Sequence, residues 1–155
     1  MAKFKKIVLL VSLSFDFFIL ESLIKYYFLN KIPQEGFYLF GKILQIIYTP
    51  NQNVAFSLPL PQMFTIVIVI LILMVLSYIW WQILIKGKLS QLLGISLVIL
   101  GALSNLLDRL IFGYVIDYLN IFIWPIFNLA DVMIVGGIII YILSEFKKPK
   151  TTLTI

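Results

Sequence analysis

The sequence predicts an all-α integral membrane protein with four transmembrane helices, both termini cytoplasmic, and a small β-like external segment between helices 1 and 2. Hydrophobic residues make up 62% of the 155 residues, charged residues make up only 12%, and the mean hydropathy is +1.08. Soluble domains carry about 25% charged residues. Four stretches approach the ~20 apolar residues that a helix needs to cross the hydrocarbon core. We therefore expect a single membrane domain over residues 1–155.

The first span is predicted at about residues 6–28, directly after three lysines. Lysines before an apolar run also begin cleaved signal peptides. Here no small-residue cleavage site is recognisable, and Asp16 and Glu21 interrupt the apolar run. We therefore expect a first helix that is retained.

An external segment over about residues 29–62 follows the first span. Residues 37–40 and 43–48 are rich in aromatic and β-branched side chains, which favour strands, so two short strands on the outer membrane surface are predicted. A proline, an asparagine and a glutamine at 50–52 predict a turn after the second strand. The segment is too short for a separate domain.

The remaining spans are predicted at about residues 63–85, 89–108 and 126–146. An external loop over about residues 109–125 joins the last two spans, and Gly113 interrupts the apolar pattern within it. The third and fourth helices are therefore expected to form an antiparallel hairpin.

Lysine clusters predict the orientation of the chain. They lie before the first span, between the second and third, and after the fourth, and positive residues favour the cytoplasmic side. Such clusters also bind anionic headgroups, so membrane lipids are expected partners. The net charge of +5 is explained by topology and requires no nucleic-acid partner. The clusters hold eight of the twelve basic residues: Lys3, Lys5, Lys6, Lys86, Lys88, Lys147, Lys148 and Lys150.

The chain contains neither cysteine nor histidine. Disulfides, thiol nucleophiles, imidazole bases and the usual nitrogen or sulfur metal ligands are therefore excluded. Any catalysis must use carboxylates, hydroxyls, amides, lysine or arginine.

Three aspartates are predicted to lie near the external ends of the third and fourth spans: Asp108, Asp117 and Asp131. The predicted hairpin allows Asp117, in the loop, to approach Asp131, in the first turns of the fourth helix. Two close carboxylates share one proton, so one can take a proton from water while the other supplies one. This is the chemistry of an aspartic protease.

Other roles for these acids stay open at this point. Asp108 next to Arg109 indicates a structural ion pair, and Lys25 lies one helical turn after Glu21, where the two can pair. The alternative to an enzyme is a non-catalytic membrane protein that binds lipidated peptides or forms a small ion or proton pathway. A pathway predicts acids distributed through the bilayer, whereas only Asp16 lies near mid-span.

Three blocks near the C-terminus resemble signature blocks of the lipoprotein signal peptidase family, also called signal peptidase II. They are GALSNLLDR at 101–109, VIDYL at 115–119 and FNLAD at 127–131. NQNVAFSL at 51–58 is similar to the family's Asn-x-Gly-x-Ala-Phe block, and Glu21 with Lys25 is similar to its Asp-x-x-x-Lys block. The resemblance covers essentially the whole chain.

The resemblance implies a four-helix membrane endopeptidase that removes signal peptides from diacylglyceryl-modified prolipoproteins. It implies cleavage before the lipidated cysteine, without a metal or organic cofactor. It also implies a multi-pass protein of the bacterial cytoplasmic (inner) membrane, with the active site near the external face. We expect a monomer.

The resemblance also assigns roles to individual residues. Asp117 and Asp131 match the catalytic dyad, Asn105 and Asn128 match positions beside it, and Arg109 and Asn51 match positions that face substrate. Simpler roles remain for some of them: Asn105 can bond between helices, and Asn51 can belong to a turn. Glu21, Lys25 and Asp108 are expected in structural ion pairs. Three residues depart from the family pattern: Glu21 for aspartate, and Asn53 and Ser104 for glycine.

Overall fold

Four helices dominate the structure, a computed structural model that describes residues 2–31, 36–41, 43–52, 61–121 and 124–146. They are α1 (Ala2–Lys31), α2 (Gln62–Lys86), α3 (Leu89–Phe112) and α4 (Leu129–Phe146). All four are long and apolar enough to cross a membrane, which confirms the predicted number of spans.

Helix α3 lies at the centre of the bundle and packs against α1, α2 and α4, most extensively against α4. Glycines bring the backbones of α3 and α4 into contact. A Cβ added to Gly137 would lie 2.5 Å from the Gly94 carbonyl oxygen, and one added to Gly101 would lie 2.6 Å from the Ala130 carbonyl oxygen. Small residues are the usual means of such close approach between membrane helices.

A three-stranded antiparallel sheet lies beside the bundle in the order β1 (Phe37–Phe40), β2 (Leu44–Asn51), β3 (Val115–Ile121). The two short strands predicted at residues 37–40 and 43–48 are present as β1 and β2, whereas the third strand was not predicted. The interpretation of residues 109–125 as a loop was wrong, because this stretch contains the last turn of α3 and then β3. Asp117 therefore lies on a strand.

The predicted turn at residues 50–52 was also wrong in part, since Pro50 and Asn51 belong to β2 and pair with Ile116 and Val115 of β3. The pairing of β1 with β2 ends at Ile46. Among the described residues, Pro50 thus occupies a part of β2 that pairs with β3 and not with β1, where a missing backbone N–H is tolerated.

Two helix ends differ from their predicted positions. Helix α3 continues to Phe112 and ends at Gly113, which adopts a left-handed conformation with φ 83°. The prediction of about residues 89–108 was therefore four residues too short at this end. Helix α4 starts at Leu129 rather than residue 126, since Phe127 pairs with Leu119 of β3 before the helix begins.

Some predictions fall outside the described residues. These are Asn53 with the rest of the block at 53–58, and the lysine cluster at 147–150. The orientation of the two termini stays a prediction.

Candidate active site

Strand β3 fixes the position of Asp117. Its backbone pairs with Thr49 of β2, and its side chain is buried, with 2% exposure. Asn51 Nδ2 donates to Asp117 Oδ2 at 2.7 Å, and Asn128 Nδ2 donates to Asp117 Oδ1 at 2.8 Å. Each carboxylate oxygen is therefore held by an amide group.

The start of α4 fixes the position of Asp131. The Asp131 N–H donates to Asn128 Oδ1 at 2.9 Å, and the Asn128 N–H donates to Asp131 Oδ2 at 3.3 Å. This reciprocal pair is a capping box, which satisfies two backbone donors at a helix start. Asn105 Nδ2 of α3 donates to the other oxygen, Oδ1, at 2.8 Å.

Asn128 joins the two aspartates. Its side chain is fully buried, and its Nδ2 donates to Asp117 Oδ1 at 2.8 Å and to Asn105 Oδ1 at 3.0 Å, with the Ile116 carbonyl oxygen at 3.2 Å. Its Oδ1 and its backbone N–H both bind Asp131. One asparagine therefore sets the relative position of both carboxylates.

Both aspartates line one cavity of about 820 Å³. Asn51, Asn105 and Arg109 contribute further polar groups to its wall. The rest of the wall is largely apolar and includes side chains of α2 and α4: Val69, Ile134 and Val135. The cavity can therefore hold a chain with both polar and apolar parts.

Arg109 lies in the cavity wall, beside the asparagines and aspartates described above. Its Nη1 donates to the Asn105 carbonyl oxygen at 3.2 Å, and its guanidinium interacts electrostatically with Asp117, Asp131 and Asp108. A permanent positive charge beside the cavity is suited to binding carbonyl oxygens.

The environment of Asp117 changes its acidity. Burial raises the pKa of its carboxyl from the ordinary 3.8 to about 7, and the charge of Asp131 adds to the rise. Hydrogen bonds from Asn51 and Asn128 and the charge of Lys25 act in the opposite direction. A carboxyl group with a pKa near neutrality can donate a proton at physiological pH, which is what a general acid requires.

A second polar group is centred on Lys25, which is only 3% exposed. Its Nζ lies 2.8 Å from Asp108 Oδ2 and 3.1 Å from Glu21 Oε1. It also donates to Ser104 Oγ and to Asn105 Oδ1, each at 3.0 Å. Asn105 also donates to Asp131. The polar group around Lys25 is therefore in contact with the polar group that holds the two aspartates.

All nine candidate residues named from the sequence therefore fall in two groups that share Asn105. Asp108 forms an ion pair with Lys25 on another helix, a partner that the sequence did not suggest. Sequence reasoning missed Ser104 as a ligand of Lys25 and gave no role to Tyr118, which is 3% exposed and binds Glu21. The one available signal was the position of Tyr118 directly after Asp117.

No metal site is evident in the described part of the chain. Among those residues, no group of three or more histidine, cysteine, aspartate or glutamate side chains could hold an ion.

A family model described as "Signal peptidase (SPase) II" matches residues 13–147. The lipoprotein signal peptidase of Moorella thermoacetica is 39% identical over 113 residues, which cover 72% of this chain and 74% of the relative. The lipoprotein signal peptidase of Halothermothrix orenii is 34% identical over 136 residues, which cover 85% of this chain and 91% of the relative.

Two solved structures, each described as a bacterial membrane enzyme determined by the in meso method, have similar folds. The structure at 2.3 Å resolution superposes with a TM-score of 0.76 at 28% identity, covering 91% of this chain and 87% of the other. The structure at 1.9 Å resolution gives a TM-score of 0.75 at 27% identity, covering 92% and 94%.

Proposed function

Because the chain belongs to the signal peptidase II family of aspartic peptidases, we propose that Asp117 and Asp131 are its catalytic dyad. Enzymes of this family cleave signal peptides from lipoprotein precursors. One observation carries the proposal: two carboxylates that lie 14 residues apart in sequence line the same cavity and are joined through Asn128.

In the proposed reaction, the two carboxyl groups share one proton, and Asp117 holds it. The Asp131 carboxylate takes a proton from water as the water oxygen bonds to the scissile carbonyl carbon. Asp117 gives its proton to the carbonyl oxygen, which yields a neutral tetrahedral intermediate. When the C–N bond breaks, the amine nitrogen receives the proton from Asp131, and Asp117 recovers its proton from the intermediate's hydroxyl. Water and peptide are thereby converted to an acid and an amine.

The neighbouring polar groups have positioning roles in this proposal. Asn51 and Asn128 hold the Asp117 carboxyl, and Asn105 holds Asp131 through a 2.8 Å hydrogen bond. Arg109 binds a substrate carbonyl oxygen. These roles are supported by the contacts of each side chain and, for Asn51, Asn105 and Arg109, by their place in the cavity wall.

We further propose that the substrate is a prolipoprotein whose cysteine carries a diacylglyceryl group, and that cleavage occurs directly before this cysteine. The apolar wall formed by Val69, Ile134 and Val135 supports this, because such side chains suit an acyl chain or a signal helix. The site then lies near the external face of the inner membrane, with both termini in the cytoplasm and residues 1–155 forming one membrane domain.

The proposal is tested by incubating the purified protein in lipid with a diacylglyceryl-modified prolipoprotein and following product mass. Asp117→Asn and Asp131→Asn should each lower kcat by more than about 10³-fold, because removing one member of a catalytic unit abolishes most of its effect. Asp16→Asn removes a carboxylate from an exposed position on α1 and should retain activity. Full activity in either dyad variant, or no cleavage by folded wild type, would contradict the proposal.

A further inference from the structure

Tyr118 is buried on the opposite side of β3 from the cavity. It follows Asp117 directly in the strand, and successive strand residues point to opposite faces. Asp117 lines the cavity, whereas Tyr118 packs against α1, with its ring stacked on Phe28 at a centroid distance of 4.7 Å and an interplanar angle of 12°. Tyr118 therefore has no direct access to a substrate in the cavity.

The Tyr118 hydroxyl connects two helices. It donates a hydrogen bond to Glu21 Oε2 of α1 and accepts one from the Leu129 N–H at 3.1 Å. Leu129 is the first residue of α4, where backbone N–H groups have no partner within the helix. Burial raises the pKa of the Tyr118 hydroxyl, so it stays protonated and can donate to Glu21.

The backbone beside Tyr118 holds the same part of the chain. The N–H groups of Tyr118 and Leu119 donate to the Phe127 carbonyl oxygen at 3.1 and 2.8 Å. Phe127 and Leu129 flank Asn128, the residue that contacts both aspartates. Tyr118 thus fixes the chain on both sides of Asn128.

Glu21 contacts the candidate site by a second route. Its Oε1 lies 3.1 Å from Lys25 Nζ, and Lys25 donates to Asn105 Oδ1 at 3.0 Å. Asn105 in turn donates to Asp131 Oδ1. The two oxygens of Glu21 therefore lead to the start of α4 through Tyr118 and to the Asp131 carboxyl through Lys25.

We infer that Tyr118 is a positioning residue for the reaction: its hydroxyl, anchored on Glu21, binds the first N–H of α4 and so holds Asn128 and Asp131 in place against Asp117. This inference rests on the proposed dyad. The hydroxyl neither binds substrate nor exchanges protons with it. Its loss should therefore change the rate of the chemical step more than substrate affinity.

Tyr118→Phe removes the hydroxyl and keeps the stacked ring. We expect kcat to fall roughly 10- to 100-fold with KM within about two-fold of wild type, because small displacements of catalytic groups reduce the rate steeply. Tyr114→Phe is the matched control. It removes one hydroxyl of the Tyr48–Tyr114 pair, whose hydroxyl oxygens lie 2.8 Å apart. Neither tyrosine is among the described residues that line the cavity, so both constants should stay within about two-fold of wild type.

Glu21→Asp provides a second probe, since it keeps the charge and shortens the reach toward Tyr118 and Lys25. It should lower kcat in the same way, and it applies if Tyr118→Phe does not fold, as judged by thermal unfolding. In the double variant Tyr118→Phe with Glu21→Asp, kcat should fall by less than the product of the two single decreases, because both changes affect the same Tyr118–Glu21 hydrogen bond.

One experiment with the diacylglyceryl-modified prolipoprotein tests the proposed dyad and the positioning role of Tyr118 independently. Inactive Asp117→Asn with wild-type kcat in folded Tyr118→Phe would overturn the positioning role alone. If Tyr118→Phe does not fold, wild-type kcat in Glu21→Asp would do so instead. Active Asp117→Asn would overturn the dyad and, with it, this inference. A KM rise without a kcat loss in Tyr118→Phe would assign the hydroxyl to substrate binding and also contradict the inference.

Discussion

A pKa of about 7 at Asp117 makes the proposed reaction sensitive to pH in the neutral range. The raised pKa has burial as its main cause, opposed by hydrogen bonds from Asn51 and Asn128. In the proposed mechanism Asp117 must be protonated. We therefore expect kcat to fall as pH rises through about 7, because the general acid loses its proton there.

Asn51→Ala should move this decline in kcat to higher pH. The Asn51 amide donates to Asp117 Oδ2 and favours the ionised form, so its removal raises the pKa of Asp117 further. A hydrogen bond to a charged group is worth enough to move the decline by roughly one pH unit. The measurement is a pH–kcat profile of wild type and variant.

Gln45→Ala is the control for that profile. Gln45 lies on the same strand, and its amide oxygen accepts a hydrogen bond from Asn120 Nδ2 at 2.9 Å. The position of the decline should match wild type in this variant. A decline at lower pH in Asn51→Ala would contradict the assignment of Asp117 as the proton holder.

At the scale of elements, contact between the α3 and α4 backbones sets how close Asn105 and Asp131 come. Gly94, Gly101 and Gly137 make this contact possible, and a Cβ at any of them would lie within 2.6 Å of another residue's backbone oxygen. Contacts this short require the helices to separate. The glycines therefore position the site although none of them lines the cavity.

Gly137→Ala should destabilise the protein by about 1–3 kcal/mol, the usual cost of overpacking a well-packed contact. Its neighbour provides a matched control, because a Cβ on Gly136 would meet no atom within 4 Å. Gly136→Ala should lie within about 0.5 kcal/mol of wild type or above it, since alanine favours a helix more than glycine. Thermal or denaturant unfolding in detergent measures both. Equal stability of the two variants would contradict close α3–α4 packing.

The elements that could be predicted from the sequence are those with local signals. Four spans follow from long apolar runs, and β1 and β2 follow from short aromatic and β-branched runs. Strand β3 could not be recognised in this way. It depends on pairing with β2, a strand more than 60 residues earlier in the chain, and a short run after a helix-ending glycine gives no local sign of that pairing.

The candidate site was predictable to a similar extent. An antiparallel α3–α4 hairpin was enough to expect Asp117 near Asp131, and i,i+4 spacing was enough to expect Glu21 near Lys25. The contacts of Lys25 with Asp108 and of Tyr118 with Leu129 could not be predicted. They join elements whose relative packing has no local sequence signal.

For the whole molecule, the lysine clusters predict that both termini and the α2–α3 turn are cytoplasmic and that the sheet is external. The chain has no cysteine, so single-cysteine variants report orientation without background. Tyr38→Cys on β1, where the tyrosine is 58% exposed, should react with a membrane-impermeant maleimide in intact cells. Ser90→Cys, in the first turn of α3, should react only after the membrane is disrupted. The reverse pattern would contradict the predicted topology.

The contribution of α4 to the site affects when activity can arise during synthesis. Asn128 and Asp131 follow every other candidate residue in the chain, so a nascent chain that ends before α4 carries Asp117 without its partner. Lys25 likewise enters the membrane long before Asp108 has been synthesised. In the proposed mechanism, proteolytic activity therefore begins only once α4 has been inserted beside α3, and a chain that still lacks α4 cannot cleave neighbouring nascent chains.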